Sequence, residues 1–251
     1  VVRLPPGYTS IRMGDRVAFA HPEVRTWAET SLSQSTLHQA ASEQAEMTLQ
    51  GRGPVHVASV GGRQRVVRHY LRGGLQAHLL YDRFLRLGDS RPLRELRASE
   101  AARRAGIPTP RVVAGAVYRN RWFYRADLVT DYVPESRTLA EIVFSGADPS
   151  DVQDALRAAG TLIGTMASMG LGHPDLNARN ILLVHGTGGL DALPVDLDRC
   201  RISTPPRPIS PQPMVTRLLR SLRKIARTEA NTPGPSRDEL GVLRDAVKDP
   251  S

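Results

Sequence analysis

Cysteine is all but missing from this chain of 251 residues: Cys200 stands alone, which excludes an intrachain disulfide and fits a reducing compartment. Lysine is nearly as scarce. Only Lys224 and Lys248 occur, so arginine carries almost all of the positive charge behind a formal balance of +9, and the N-terminal half has no lysine. No run of about 18 apolar residues is present, so no segment reads as a transmembrane helix. Aromatics make up 5% of the chain and no nucleic-acid recognition motif is found, so nucleic acid is not an expected partner despite the basic balance. What is there, 40% hydrophobic and 24% charged residues, describes a folded globular chain with material for one large domain or two lobes. The cationic excess points to an anionic partner, such as a phosphate-bearing membrane surface.

Along the chain, residues 1–47 read as an N-terminal extension with one or two short helices, one starting after the His21-Pro22 step. From Met47 the pattern turns to strands. Val55 to Val60 alternates, Gly61-Gly62 makes a two-residue turn, and Arg63 to Tyr70 runs back as the second arm of a hairpin. Just before the hairpin, Gly51 and Gly53 would let backbone amides approach nucleotide phosphates closely. An amphipathic helix is expected from about Gln76 to Leu87, and another from Pro92, a residue suited to a first helical turn. Strands follow at Val112–Tyr118 and Trp122–Leu128, then helices over 138–144 and Pro149–Met169. The expected class is α+β with two lobes: a small antiparallel sheet over 48–131 and a mainly helical lobe over 132–230, then a tail over 231–251 whose part from Asp238 reads as a short final helix or a frayed end. Between Arg199 and Thr228 lie eight basic residues and no acid, and Val215 to Ala226 forms a basic amphipathic helix.

The chemistry concentrates in His173-Pro174-Asp175-Leu176-Asn177-Ala178-Arg179-Asn180, which has the form H-x-D-L-x-x-x-x-N and leads into an apolar run. Phosphoryl transfer from a nucleotide requires a carboxylate to receive and orient the acceptor hydroxyl, and neutral or acidic oxygens for the metal that neutralises the phosphates. Asp175 can be the first and Asn180 the second, although such residues also cap turns. Asp196, at the end of the apolar stretch Pro194-Val195, can hold Mg²⁺ against the phosphates. His173 is expected to brace the loop by a hydrogen bond near the Asp196 strand. In Arg65-Val66-Val67-Arg68 the arginine at 68 stands where V-A-I-K has lysine. Arg68 can be the phosphate cation and Glu95, one turn into the Pro92 helix, its partner.

Taken together, the glycine pair, R-H-Y-x-R-G-G-L, R-P-x-R-E, H-P-D-L-N-A-R-N-I-L-L, D-L-D-R-C-R and R-L-L-R-S-L-R-K occur in an order that resembles the 3-deoxy-D-manno-octulosonic acid (Kdo) kinase family. The likeness spans about residues 48–227. It implies a bilobal protein-kinase-like fold, with ATP and Mg²⁺ as cofactors and a Kdo-bearing lipid A precursor as acceptor. It also implies work in the cytoplasm, peripheral to the anionic face of the inner membrane. Carried onto this chain, Asp175 is the catalytic base, Asn180 and Asp196 are metal ligands, and Arg68, Glu95, Gly51 and Gly53 bind ATP. Asp198, with Arg199 and Arg201 beside it, is a further candidate for metal or acceptor contact. Other expectations stay open: a kinase for a heptose, a small molecule or a protein, or a kinase-like binding module without activity.

Overall fold

The computed structural model describes residues 3–49, 53–72, 81–203, 206–228 and 233–249. They divide into two compact units, one of residues 1–100 and 110–132, the other of 101–109 and 133–251.

The first unit is an antiparallel sheet clad on both faces. Its elements are β1 (Thr9–Met13), β2 (Arg16–Ala20), α1 (Pro22–Gln34), α2 (Leu37–Glu43), β3 (Ala45–Leu49), β4 (Val55–Val60), β5 (Arg63–His69), β6 (Phe84–Leu85), α3 (Arg91–Arg104), β7 (Val112–Asn120) and β8 (Phe123–Asp131). The strand order is β1-β2-β7-β8-β5-β4-β3, with β6 also on β8. Side chains alternate across a strand, and the cores follow that period. Ala18, Ala20, Val67 and Val129 face a core shared with Val24, Ala28 and Leu32 of α1 and Leu37 and Ala41 of α2. Phe19, Ala126 and Leu128 face the opposite core, with Leu93 and Leu96 of α3. Gly115 lets α3 lie close: a Cβ there would stand 2.6 Å from the Phe19 ring and 2.8 Å from Pro92 Cβ.

Two expectations change. Residues 1–47 are not an extension, because β1 and β2 continue the sheet through β7 and α1 and α2 cover one face of it. The strand signal is faint there because the strands are short and the β2 positions facing α1 and α2 are Ala18 and Ala20, which bury little surface. The helix expected from Gln76 to Leu87 also fails where it can be judged, since Tyr81–Leu87 forms a turn and the short strand β6 paired with β8. Phe84 is buried in that pairing. Gln76 to Leu80 lie outside the described residues.

The second unit contains β9 (Arg137–Thr138), α4 (Leu139–Val143), α5 (Pro149–Ser168), β10 (Leu171–Gly172), β11 (Ile181–Gly186), β12 (Gly189–Pro194), a 3-10 turn (Leu197–Arg199), β13 (Arg201–Ile202), α6 (Gln212–Thr228) and α7 (Arg237–Lys248). Helix α4 begins on a capping box in which Thr138 and Glu141 satisfy each other's backbone N–H. The apolar stripe of α5 (Val152, Leu156, Ala159, Ile163, Met166) is buried. Of the two readings of the last segment, short helix or frayed tail, the structure shows a capped helix packed on α5: Ser236 and Glu239 form its capping box, and Gly160 on α5 brings the α7 backbone close. Strands β12, β11 and β9 form one small sheet, and β10 pairs with β13. The loop between β10 and β11 carries Asp175.

Candidate active site

The Asp175 loop is held by its apolar residues and its own amides. Leu176 and Ala178 are fully buried, which pins alternate positions inward and leaves Asp175 and Asn177 half-buried between them. Asn177 Nδ2 and Asn180 Nδ2 both donate to the Asp175 carbonyl oxygen, at 3.0 and 3.1 Å. Because the Asn180 amide nitrogen is spent on the loop, its Oδ1 is left as an acceptor. The Asn180 carbonyl accepts from Val195 N–H at 3.0 Å, which ties the loop to the residue before Asp196. From outside the loop, Ala178 N–H donates to Ser221 Oγ of α6 at 3.2 Å.

His173 is 1% exposed, and its Nε2 lies 3.1 Å from the Val195 carbonyl oxygen. A carbonyl only accepts, so Nε2 carries the proton and Nδ1 is bare. Nδ1 is buried without a hydrogen-bond partner among the described residues. Burial lowers the His173 pKa below its ordinary 6.5, with the Val195 contact and the nearby charges of Asp196, Asp175 and Asp198 pulling the other way. The ring therefore braces the loop to the Val195–Asp196 turn in its neutral form.

Asp196 sits at φ 64°, ψ 52°, in the left-handed region that a side chain with Cβ seldom adopts. It ends the extended run of β12 and starts the 3-10 turn, in which Leu197 and Asp198 are buried. The backbone thus brings Asp175, Asn180 and Asp196 to one loop cluster, though they are distant in sequence. Hard oxygen donors of this kind suit Mg²⁺, which is usually held by one or two carboxylates plus substrate phosphates. No group of three His, Cys, Asp or Glu side chains that could cage a metal occurs among the described residues.

The Asp175 carboxylate has two cationic neighbours. Arg199 Nη1 donates to Oδ2 at 2.6 Å, and Arg217 Nη1 of α6 stands 3.6 Å from Oδ1. Arg199 was a single candidate from the sequence, Arg217 only one of the eight basic residues of its segment, and Ser221 was not a candidate. The available signal was their spacing of four residues, which puts both on one face of α6. Arg201 is exposed on β13, opposite Gly172 in the ladder, and the structure does not join it to Asp175.

In the sheet unit, Arg68 of β5 and Glu95 of α3 pair as the sequence suggests: Arg68 Nη2 lies 2.6 and 2.5 Å from the two carboxylate oxygens. Glu95 is 4% exposed. Tyr70 completes the arrangement, since its hydroxyl donates to Glu95 Oε2 at 2.5 Å and its ring lies under the Arg68 guanidinium. Period-two alternation places residues 68 and 70 on one face, so the R-H-Y spacing held that clue. Between them, His69 points to the other face and pairs with Asp127 at 2.6 Å. Gly53 packs against Leu71, whose Cδ1 would lie 2.5 Å from an added Cβ. Gly51 lies outside the described residues.

These findings meet the comparisons with known proteins. The structure matches a solved one described as "WaaP in complex with acyl carrier protein" with a TM-score of 0.54 and 15% identity, covering 91% of this chain and 87% of that one. The likeness defines an α+β, protein-kinase-like fold. By sequence, residues 38–233 match the model of the lipopolysaccharide kinase (Kdo/WaaP) family, and the chain belongs to that family. A 3-deoxy-D-manno-octulosonic acid kinase from Stenotrophomonas maltophilia (strain K279a) is 34% identical over 178 residues, 70% of this chain and 68% of the relative. A relative with the same name from Vibrio cholerae serotype O1 is 34% identical over 136 residues, 53% of this chain and 56% of its own length.

Proposed function

We propose that this chain is an ATP-dependent kinase that phosphorylates a hydroxyl of Kdo on the lipid A precursor during lipopolysaccharide core biosynthesis. The observation that carries the reading is the Asp175 loop, whose hydrogen bonds to Asn180 and through Val195 towards Asp196 hold an acid beside two oxygen ligands. In the proposed reaction Asp175 orients the acceptor hydroxyl and takes its proton as the oxygen bonds to the γ-phosphorus. The bond from that phosphorus to the bridging oxygen breaks, and ADP leaves with the electron pair. Asn180 and Asp196 would hold Mg²⁺, which when bound neutralises phosphate charge. Arg68, fixed by Glu95 and Tyr70, would supply the phosphate cation usually provided by lysine. Asp198, buried within the same turn, would be a further metal or acceptor contact. His173, neutral and buried, keeps the loop in register with Asp196.

The acceptor assignment rests on family membership and on the names of the relatives. The proposed location, peripheral to the cytoplasmic face of the inner membrane, is supported by the basic face of α6. Arg220, Arg223, Lys224 and Arg227 are exposed there, while Leu218, Leu222 and Ile225 are buried. No helix among the described residues is long and apolar enough to cross a membrane. Labelled ATP tests the acceptor directly. Label is expected to pass to lipid A precursor bearing Kdo and not to the same lipid lacking Kdo; equal labelling of both, or of neither, would overturn the assignment.

A further inference from the structure

We infer that Arg199 and Arg217 form a recognition site for the carboxylate of the acceptor sugar, and that Asp175 occupies it as an internal stand-in until substrate arrives. The inference rests on the proposed Kdo kinase function and goes beyond it by assigning the group that selects an acidic sugar.

Two guanidinium groups converge on one carboxylate, at 2.6 and 3.6 Å. The segment from Arg199 through Thr228 supplies eight basic residues and no acid. All three side chains are open to solvent, Arg199 by 58%, Arg217 by 51% and Asp175 by 37%, so an incoming anion can reach the pair without a rearrangement of the core. Arg217 is also held in place relative to the loop, because Ser221, one turn further along α6, accepts the Ala178 N–H.

The arrangement weakens the base as it stands. An arginine at 2.6 Å from Oδ2 stabilises the Asp175 carboxylate as an anion and lowers its basicity, although Oδ1 stays open to a hydroxyl. A second carboxylate restores the base: it matches the planar guanidinium fork, takes Asp175's place as counter-ion and leaves Asp175 facing the hydroxyl. A 3-deoxyoctulosonic acid carries such a carboxylate on the same ring system as its hydroxyls. A neutral sugar would bring nothing to exchange, and it would leave Asp175 paired.

The test compares Kdo-bearing lipid A precursor with the same lipid whose Kdo carboxylate is methyl-esterified, using wild type, Arg217→Gln and Arg199→Gln. Wild type is expected to lose roughly 10- to 100-fold in kcat/KM on the ester, the scale of a charge-assisted hydrogen bond. In each variant the acid-to-ester ratio is expected to collapse towards one. A purely structural role for the arginines would lower both acceptors alike and preserve the ratio, which would overturn the inference. So would a wild-type enzyme that uses acid and ester equally, because recognition would then lie with another group such as a lipid phosphate. A wild-type chain that turns over neither acceptor would instead overturn the kinase assignment, and the carboxylate site with it.

Discussion

At the scale of single residues, the loop depends on a histidine that must stay neutral. The unfolded chain protonates the His173 ring as pH falls through its ordinary 6.5, whereas burial holds the folded ring unprotonated to lower pH. Between those points the unfolded state binds more protons, so stability is full above 6.5 and falls as pH drops below it. His69 has the opposite sign: burial opposes its charge, but hydrogen bonds and charge from Asp127 and Asp82 outweigh it and raise its pKa. Its contribution is therefore present at low pH and fades as pH rises past its folded value. His173→Gln, which can still donate to the Val195 carbonyl, should show a shallower loss of thermal midpoint between neutral and mildly acid pH than wild type. Parallel curves for the two proteins would exclude the buried neutral ring as a source of acid sensitivity. Asp175, Asn180, Arg68 and Glu95 stood out in the sequence because their residue types and order match those a phosphoryl transfer would use, and the structure pairs Arg68 with Glu95 and ties Asn180 to the Asp175 backbone. Spacing put Tyr70 on the face of Arg68 and Arg217 on the face of Ser221, but it did not show which residue each would meet.

At the scale of elements, helix periodicity exposed α5 and α6 in the sequence, and turn chemistry exposed the β4–β5 hairpin around Gly61-Gly62. β1 and β2 escaped because each is five residues long and β2 turns only Ala18 and Ala20 towards α1 and α2, which leaves little periodic contrast. α7 was legible as a short helix or a frayed tail, and its packing on α5 decides between them. Gly160 records that packing: a Cβ there would meet the Leu243 carbonyl oxygen and stand 2.9 Å from Ala246 Cβ. In an exposed helix, Gly to Ala adds about 1 kcal/mol of stability. Here the sign should reverse, because α7 backbone must move: Gly160→Ala is expected to lower stability by about 1–3 kcal/mol in denaturant titration. A stabilised variant would show that α7 can withdraw from α5 without penalty.

At the scale of the whole molecule, the chain carries +9 with almost no lysine, and five of its cations lie exposed along α6 as Arg217, Arg220, Arg223, Lys224 and Arg227. Attraction of that face to anionic phospholipid vesicles should weaken strongly from low to high salt, because exposed charges are screened. Binding that salt leaves untouched would rule out an electrostatic membrane contact. The main border between the units falls after residue 132, one residue from where the sequence put it, whereas two other features of the division had no signal there. Residues 101–109 associate with the second unit despite lying inside the first in sequence, and the opening residues belong to the sheet.

The central claim is that Asp175 receives the acceptor's proton, and transfer by Asp175→Asn tests it most directly. Phosphate transfer to Kdo-bearing lipid should fall by about 10²- to 10⁴-fold, the usual contribution of a general base, while Mg-ATP still raises the variant's thermal midpoint as it does for wild type. Undiminished transfer by Asp175→Asn would contradict the account.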